Sequence, residues 1–351
     1  MRAVRLHGAG DARLEEVPEP QVGPGQVKVR VERAAICGSD LALFSFFPEQ
    51  VRSAHPLFGE DGPHVLGHEL AGTVEAVGRG VDAVTVGALV AVRPNVWDGT
   101  CPACRRGETN LCEQFGFVGI NGGGGGYSEH VVVAADAVHE LPASAGVDAA
   151  VLVESLSVAW HAVKLAGTRP GGSALIVGAG PIGLSLLLCL KARGVKRVVV
   201  SEVSEARRAL AARLGAQVVD PRTEDPVAAA RQEDGGVDVS FDASGVGAAT
   251  FLPALDALRS GGTSVVVAQF HHRVEVDPNV FLITEKRLVG SFAYTDEDFA
   301  EVVAMVGDGT LDPRTLVSSH IGLGDAVSGG LEHLLGAGRN SELKIVIDPQ
   351  R

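Results

Sequence analysis

The chain has no surplus of positive charge. Lys and Arg number 30 against 43 Asp and Glu, a formal net charge of -13 at pH 7. No basic run stands out, which argues against nucleic acid and anionic membrane surfaces as partners. No apolar stretch reaches the roughly 18 residues that a membrane span needs. The opening Met1-Arg2-Ala3-Val4-Arg5-Leu6 lacks the apolar core of a signal peptide, so a cytoplasmic location is expected. Cysteine is scarce at five residues. Cys101, Cys104 and Cys112 crowd together while Cys37 and Cys189 stand apart, a pattern that in a reducing compartment suggests metal ligation rather than disulfides. What the chain has in quantity is length and glycine. Its 351 residues suggest two domains, and 46% apolar residues with 45 glycines describe a loop-rich globular protein.

Residues 1–36 alternate as short strands around turns, with Val27-Lys28-Val29-Arg30-Val31 the clearest. That strand runs into Cys37-Gly38-Ser39-Asp40, which sets a thiol, a hydroxyl and a carboxylate within four residues. Further strands are expected at 88–92 and 127–133, and the glycine run Gly122 to Gly126 between them reads as a tight or flexible loop with no chemistry of its own. Near residue 153 the texture changes. A helical stretch at 154–163 leads into strand candidates at 174–177, 197–201, 217–219, 237–241, 263–268 and 287–292. Helical candidates at 182–193, 204–213, 225–233 and 247–259 alternate with them. Such alternation makes the fold class α/β, with a doubly wound parallel sheet covered on both faces. Beyond 293 come helices at 296–306 and 324–336 and a strand at 343–347, too little for a domain and expected to return to the first one. The expected domains are therefore 1–153 with 293–351, and 154–292.

Strand Ser173-Ala174-Leu175-Ile176-Val177 leads into Gly178-Ala179-Gly180-Pro181-Ile182-Gly183 and then an apolar helix, so G-x-G-x-x-G stands at a strand-to-helix junction. Gly178 permits the turn, Gly180 lets backbone N–H groups reach a pyrophosphate, and Gly183 packs helix on strand. The helix N-terminus adds partial positive charge. Glu202 closes the next strand 19 residues beyond Gly183, suited to accept from ribose hydroxyls and to repel a 2′-phosphate. NAD is favoured over NADP, with Arg207 and Arg208 near enough to bear on that choice. Cys189, inside the apolar helix, reads as core.

Gly67-His68-Glu69-Leu70-Ala71-Gly72 places an imidazole and a carboxylate at the head of an alternating strand, with Gly78 and Val81 at fixed intervals beyond. This G-H-E-x-x-G spacing resembles the signature of the zinc-containing medium-chain dehydrogenases. Asp98-x-x-Cys101-x-x-Cys104 with seven residues to Cys112 resembles the same family's structural zinc lobe, with Asp98 where its first cysteine stands. Glu154-Ser155-Leu156-Ser157-Val158-Ala159-Trp160-His161-Ala162 resembles the Glu-Pro-Leu-Ser-Val-x-x-His-Ala motif of the polyol branch, with Ser155 replacing proline. The resemblance covers essentially the whole chain. It leans toward the bacterial 2,3-butanediol dehydrogenases through such stretches as Asn110-Leu111-Cys112, Glu285-Lys286-Arg287-Leu288-Val289-Gly290-Ser291 and Ala293-Tyr294-Thr295-Asp296-Glu297-Asp298-Phe299.

The resemblance implies a GroES-like β-rich catalytic domain joined to a Rossmann NAD-binding domain. It also implies a catalytic zinc held by Cys37 and His68, with Glu154 as third ligand directly or through water, and Glu69 as a carboxylate able to approach the metal. Asp40 would accept from the second nitrogen of His68, and Ser39 would pass the alcohol proton outward. The histidine that often continues that relay is Ala42 here, and His55, His64, His130 and His161 are each read as structural or exposed. A second, structural zinc would lie among Asp98, Cys101, Cys104 and Cys112; a metal-free lobe with three thiols is the alternative. The activity implied is NAD-linked oxidation of a secondary alcohol in a vicinal diol. Polyol, cyclitol and amino-alcohol substrates stay open, as does a family member without catalysis that binds NAD or senses redox state. A pocket wall is expected from Phe44, Phe46, Phe47 and residues near Pro94 to Trp97, and the protein is expected to be a homo-oligomer, dimer or tetramer.

Overall fold

Strand Gln26–Ala35 buries Val27, Val29 and Val31 and leaves Lys28 and Arg30 partly exposed, the two-residue period of a strand with one covered face. It is the centre of the first of two compact units into which the computed structural model divides: Met1–Glu154 with Thr295–Arg351, and Ser155–Tyr294. Residues 1–48, 51 and 53–351 are described. Among them, the largest sheet of the first unit runs Val138–Leu141, Leu89–Val92, Glu69–Val77, Gln26–Ala35, Lys344–Asp348, Val317–Gly322, and His130–Ala134 also pairs with Gln26–Ala35. The last strand of the chain, Lys344–Asp348, lies antiparallel to Gln26–Ala35 with Val346 opposite Ala35. That pairing brings Lys344 to the region of Cys37.

The second unit holds, among the described residues, a six-stranded parallel sheet. Its order is Gln217–Val219, Arg197–Ser201, Ser173–Val177, Val237–Asp242, Leu258–Val266, Arg287–Gly290. The order reverses at Ser173–Val177, and ligands of such sheets bind at the carboxyl ends of the strands beside that reversal. Burial of Leu175, Ile176, Val199, Val200, Val239 and Phe241 reflects helices on both faces.

Element types expected from periodicity are present throughout this unit, with shifted ends. The helix expected at 247–259 is Ala248–Asp256, because strand Leu258–Val266 starts earlier than 263, and the helix at 225–233 closes early as Pro226–Ala230. The strand expected at 287–292 ends at Gly290. In the first unit the strand expected at 127–133 is His130–Ala134, since Tyr127 turns into the interior instead of pairing in the ladder. The helix expected at 324–336 opens into a π-helix over Ala326–Glu332. There a Cβ on Gly330 would lie 2.6 Å from Ile36 Cδ1, so glycine permits the close approach. Helices Gly38–Phe46 and Asn279–Thr284 had no clear periodic signal.

Candidate functional site

Helix Gly38–Phe46 starts immediately after Cys37, whose backbone N–H donates to Asp40 Oδ2 at 2.9 Å. The aspartate at the third helical position therefore closes the helix start with one carboxylate oxygen. Its other oxygen, Oδ1, lies 3.4 Å from His68 Nδ1. His68 follows Gly67, whose φ of 96° sets the bend before strand Glu69–Val77. On the other side of the ring, Ser39 Oγ lies 3.3 Å from His68 Nε2. Asp40, His68 and Glu69 are buried, while Cys37 and Ser39 are half-buried.

The donor atoms of Cys37, His68 and Glu69 lie within 4.8 Å of one another. Zinc bonds of about 2.3 Å to sulfur and about 2.0 Å to nitrogen place tetrahedral donors at separations of this order. Glu69 Oε1 accepts from Lys344 Nζ at 2.5 Å, while Oε2, fully enclosed, has no hydrogen-bond partner among the described residues. A thiol, an imidazole and an orphaned buried carboxylate oxygen in one place fit a divalent cation such as zinc. Burial opposes a charged His68, but the carboxylate of Asp40 and the sulfur of Cys37 outweigh it and hold the pKa well above the ordinary histidine value.

Glu154, in the first turn of helix Val153–Leu165, is buried, and its carboxylate is not one of the three mutually close donors. Its influence reaches the cluster through Lys344. Burial opposes the charge of that lysine, and the Glu69 carboxylate, the Cys37 sulfur and the Glu154 carboxylate more than offset it, raising its pKa. The ammonium also donates to the Ile36 carbonyl at 3.3 Å, one residue before Cys37.

Sequence reasoning passed over two members of this site. Lys344 sits in the last strand and Tyr127 directly after the glycine run. Tyr127 is fully buried and its hydroxyl donates to Asp40 Oδ2 at 2.9 Å. Burial first, and then the Asp40 carboxylate, push its pKa well above the ordinary phenol value, so it remains a donor. The signal available was the glycine run itself. A Cβ on Gly125 would lie 2.4 Å from the Leu66 carbonyl oxygen, and one on Gly126 would lie 3.3 Å from that of Gly67. The run therefore presses against the backbone that presents His68.

The donor atoms of Asp98, Cys101, Cys104 and Cys112 form a second such cluster within 4.8 Å. Asp98 Oδ1 accepts from the N–H groups of Thr100 at 2.6 Å and Cys101 at 2.8 Å. Cys112 Sγ accepts from the N–H groups of Asp98 and Gln114, each at 3.3 Å. Burial and the neighbouring sulfurs of Cys101 and Cys112 push the Cys104 thiol up to about 12. Glu19, Glu75 and His130 also come close together. That group already surrounds the ammonium of Lys28, which pairs with Glu19 and with Glu75.

In the second unit Gly178 has φ 94°, and a Cβ on Gly183 would lie 1.9 Å from the Gly178 carbonyl oxygen. Around Gly180 a Cβ would meet nothing within 4 Å, which leaves the backbone open to a ligand at the start of helix Pro181–Ala192, where Pro181 and Ile182 form the first turn. Glu202 Oε2 accepts from the Ala179 N–H at 2.7 Å and Oε1 from the Ser204 N–H at 2.7 Å. The acid is thereby fixed against the glycine loop. Arg208 donates to the Glu202 carbonyl and pairs with Asp220 at 3.1 Å, so its charge is committed there. The Arg207 N–H donates to Ser204 Oγ at 3.4 Å, within the cap of helix Glu205–Arg213.

Comparison with known proteins agrees with both units. Residues 23–143 match the alcohol dehydrogenase GroES-like domain, and residues 181–308 match the zinc-binding dehydrogenase domain. The chain is 36% identical to (R,R)-butanediol dehydrogenase of Bacillus subtilis (strain 168), covering 99% of this chain and 100% of that one. It is 33% identical to a probable (R)-acetoin-forming diacetyl reductase of Saccharomyces cerevisiae, over 99% of this chain and 90% of the other. The crystal structure of 2R,3R-butanediol dehydrogenase from Bacillus subtilis superposes with a TM-score of 0.92 at 36% identity, covering 99% of each chain. With a GroES-like unit, a doubly wound unit and full-length relatives at this level, the chain belongs to the zinc-containing medium-chain alcohol dehydrogenases.

Proposed function

We propose that this protein oxidises a secondary alcohol of a vicinal diol with NAD and, in reverse, reduces an acetoin-like hydroxyketone. The convergence of Cys37, His68 and Glu69 on one point carries this proposal, and the names of the full-length relatives narrow the substrate to a diol. Cys37 and His68 would hold the catalytic zinc, Glu69 would approach it with its orphaned Oε2, and Glu154 would contribute charge or act through water. When bound, zinc supplies a Lewis acid that lowers the pKa of the substrate alcohol.

The residues of the chain do the rest. Asp40 Oδ1 faces His68 Nδ1, an arrangement that leaves Nε2 for the metal and fixes the ring. Ser39, half-buried and within hydrogen-bond reach of the cluster, takes the alcohol proton toward solvent. Gly178, Gly180 and Gly183 with the Pro181–Ala192 helix start would bind the pyrophosphate, and Glu202 the adenosine ribose, which favours NAD. On this assignment residues 1–154 with 295–351 are the catalytic domain and 155–294 the NAD domain. Asp98, Cys101, Cys104 and Cys112 would hold a second, structural zinc. Among the described residues no helix is long and apolar enough to cross a membrane, and we place the reaction in the cytoplasm. We also place a contact with a second copy at the exposed edge strand Arg287–Gly290 and helix Asn279–Thr284.

The test combines activity, metal content and cofactor binding. Cys37→Ala and His68→Ala should each abolish oxidation of 2,3-butanediol and lower zinc from two ions per chain to one, with NADH binding by fluorescence unchanged. Full diol activity in either variant would sink the catalytic assignment. One zinc per chain in the fully active protein would sink the structural site.

A further inference from the structure

We infer that Tyr127 is a positioning residue of the metal centre, acting through Asp40 on His68. The inference rests on the proposed zinc site and extends it to a residue that would touch neither metal nor substrate.

The two oxygens of the Asp40 carboxylate have separate tasks. Oδ2 accepts from the Cys37 N–H and from the Tyr127 hydroxyl, both at 2.9 Å, while Oδ1 lies 3.4 Å from His68 Nδ1, and neither of these two buried atoms has another partner among the described residues. Two donors on one oxygen fix the rotation of the carboxylate about its bond to the chain. That rotation determines where Oδ1 stands, and Oδ1 determines the tilt of the imidazole. With only the Cys37 N–H as anchor, the carboxylate could pivot about that single bond.

Tyr127 is itself held from several sides. Its N–H donates to the Leu66 carbonyl at 2.9 Å, and its carbonyl accepts from the Val4 N–H at 2.8 Å. Its ring lies so close to the bend before His68 that a Cβ on Gly67 would fall 2.4 Å from Tyr127 Cδ1. The same side chain thus braces the backbone one residue before His68 and the carboxylate behind the ring. Phenylalanine would keep the first contact and lose the second, which makes the hydroxyl separable from the packing.

The experiment follows, in the full chain, the zinc whose binding His68→Ala abolishes, and measures its dissociation constant by chelator competition. The unfolding midpoint of the metal-free protein is recorded alongside. Tyr127→Phe should weaken that zinc about 10-fold and Asp40→Ala by up to about 100-fold, the range for lost outer-shell partners. The double variant should be no weaker than Asp40→Ala alone, because the hydroxyl acts only through the carboxylate. Wild-type affinity in Tyr127→Phe overturns the inference even if its midpoint falls, since that is the signature of a purely structural role. A further 10-fold loss on top of Asp40→Ala also overturns it. If His68→Ala removes no zinc, the metal assignment itself fails, an outcome distinct from the other two.

A second measurement does not depend on how Tyr127→Phe folds. The chain has two tyrosines, Tyr127 and Tyr294, so uniform fluorotyrosine labelling of Tyr294→Phe leaves one fluorine resonance. That resonance should move when zinc is added to the metal-free protein, and a resonance that stays in place contradicts the coupling.

Discussion

Lys344 is the side chain whose removal should be felt most, because it leaves Glu69 buried with neither oxygen paired. Breaking a buried ion pair from one side costs about 3–5 kcal/mol. Lys344→Met should therefore lower the unfolding free energy of the metal-free protein, measured by denaturant titration, by an amount of that order, and an unchanged value would show that Glu69 finds another partner. At this scale the sequence was legible only where donors are local. Gly67-His68-Glu69 and Cys37-Gly38-Ser39-Asp40 each announce themselves within a few positions, and the structure brings Cys37, His68 and Glu69 together. Lys344 lies 275 residues from its partner Glu69, and Tyr127 lies 87 from Asp40. No spacing rule reaches that far. Glu154 illustrates the converse: a motif identified it, but its carboxylate stands outside the three-donor cluster.

The glycine run is the element whose role was least apparent from composition. Read along the chain it is a loop; in the fold it is in close contact with the segment 65–67 that leads into His68. Gly125→Ala would set a Cβ 2.4 Å from the Leu66 carbonyl oxygen and 2.7 Å from that of Val65. Backbone must then move, which for overpacking costs about 1–3 kcal/mol. The variant should unfold earlier on heating and turn over substrate more slowly, and wild-type values of both would show that the contact is slack. Helix Gly38–Phe46 was hidden for a related reason. Its start rests on Asp40, whose other carboxylate oxygen faces His68. The π-helix Ala326–Glu332 depends on Gly330 meeting Ile36, a contact invisible to periodicity. In the second unit the elements are long and strongly patterned, so their types were evident and only their ends moved.

For the molecule as a whole, alternation of apolar strands and helices was enough to foresee a doubly wound parallel sheet, and the β-rich texture of the first 150 or so residues foretold the other unit. The proposed contact with a second copy rests on exposed surface rather than on sequence pattern. Leu282 is 77% exposed, Ile283 78% and Leu288 43%, beside the open edge of the six-stranded sheet. Such an apolar edge calls for a cover. Sedimentation should find a dimer or larger, and Leu282→Glu combined with Leu288→Lys should reduce it to the monomer; an unchanged assembly would place the contact elsewhere. The central claim concerns the reaction. The most direct measurement is a panel of vicinal diols, polyols, cyclitols and amino alcohols assayed on the zinc-loaded protein with NAD and NADP in parallel. The account predicts that kcat/KM is highest for a vicinal diol such as 2,3-butanediol and higher with NAD than with NADP. Absence of hydride transfer from every member of the panel, with NAD bound, would contradict it.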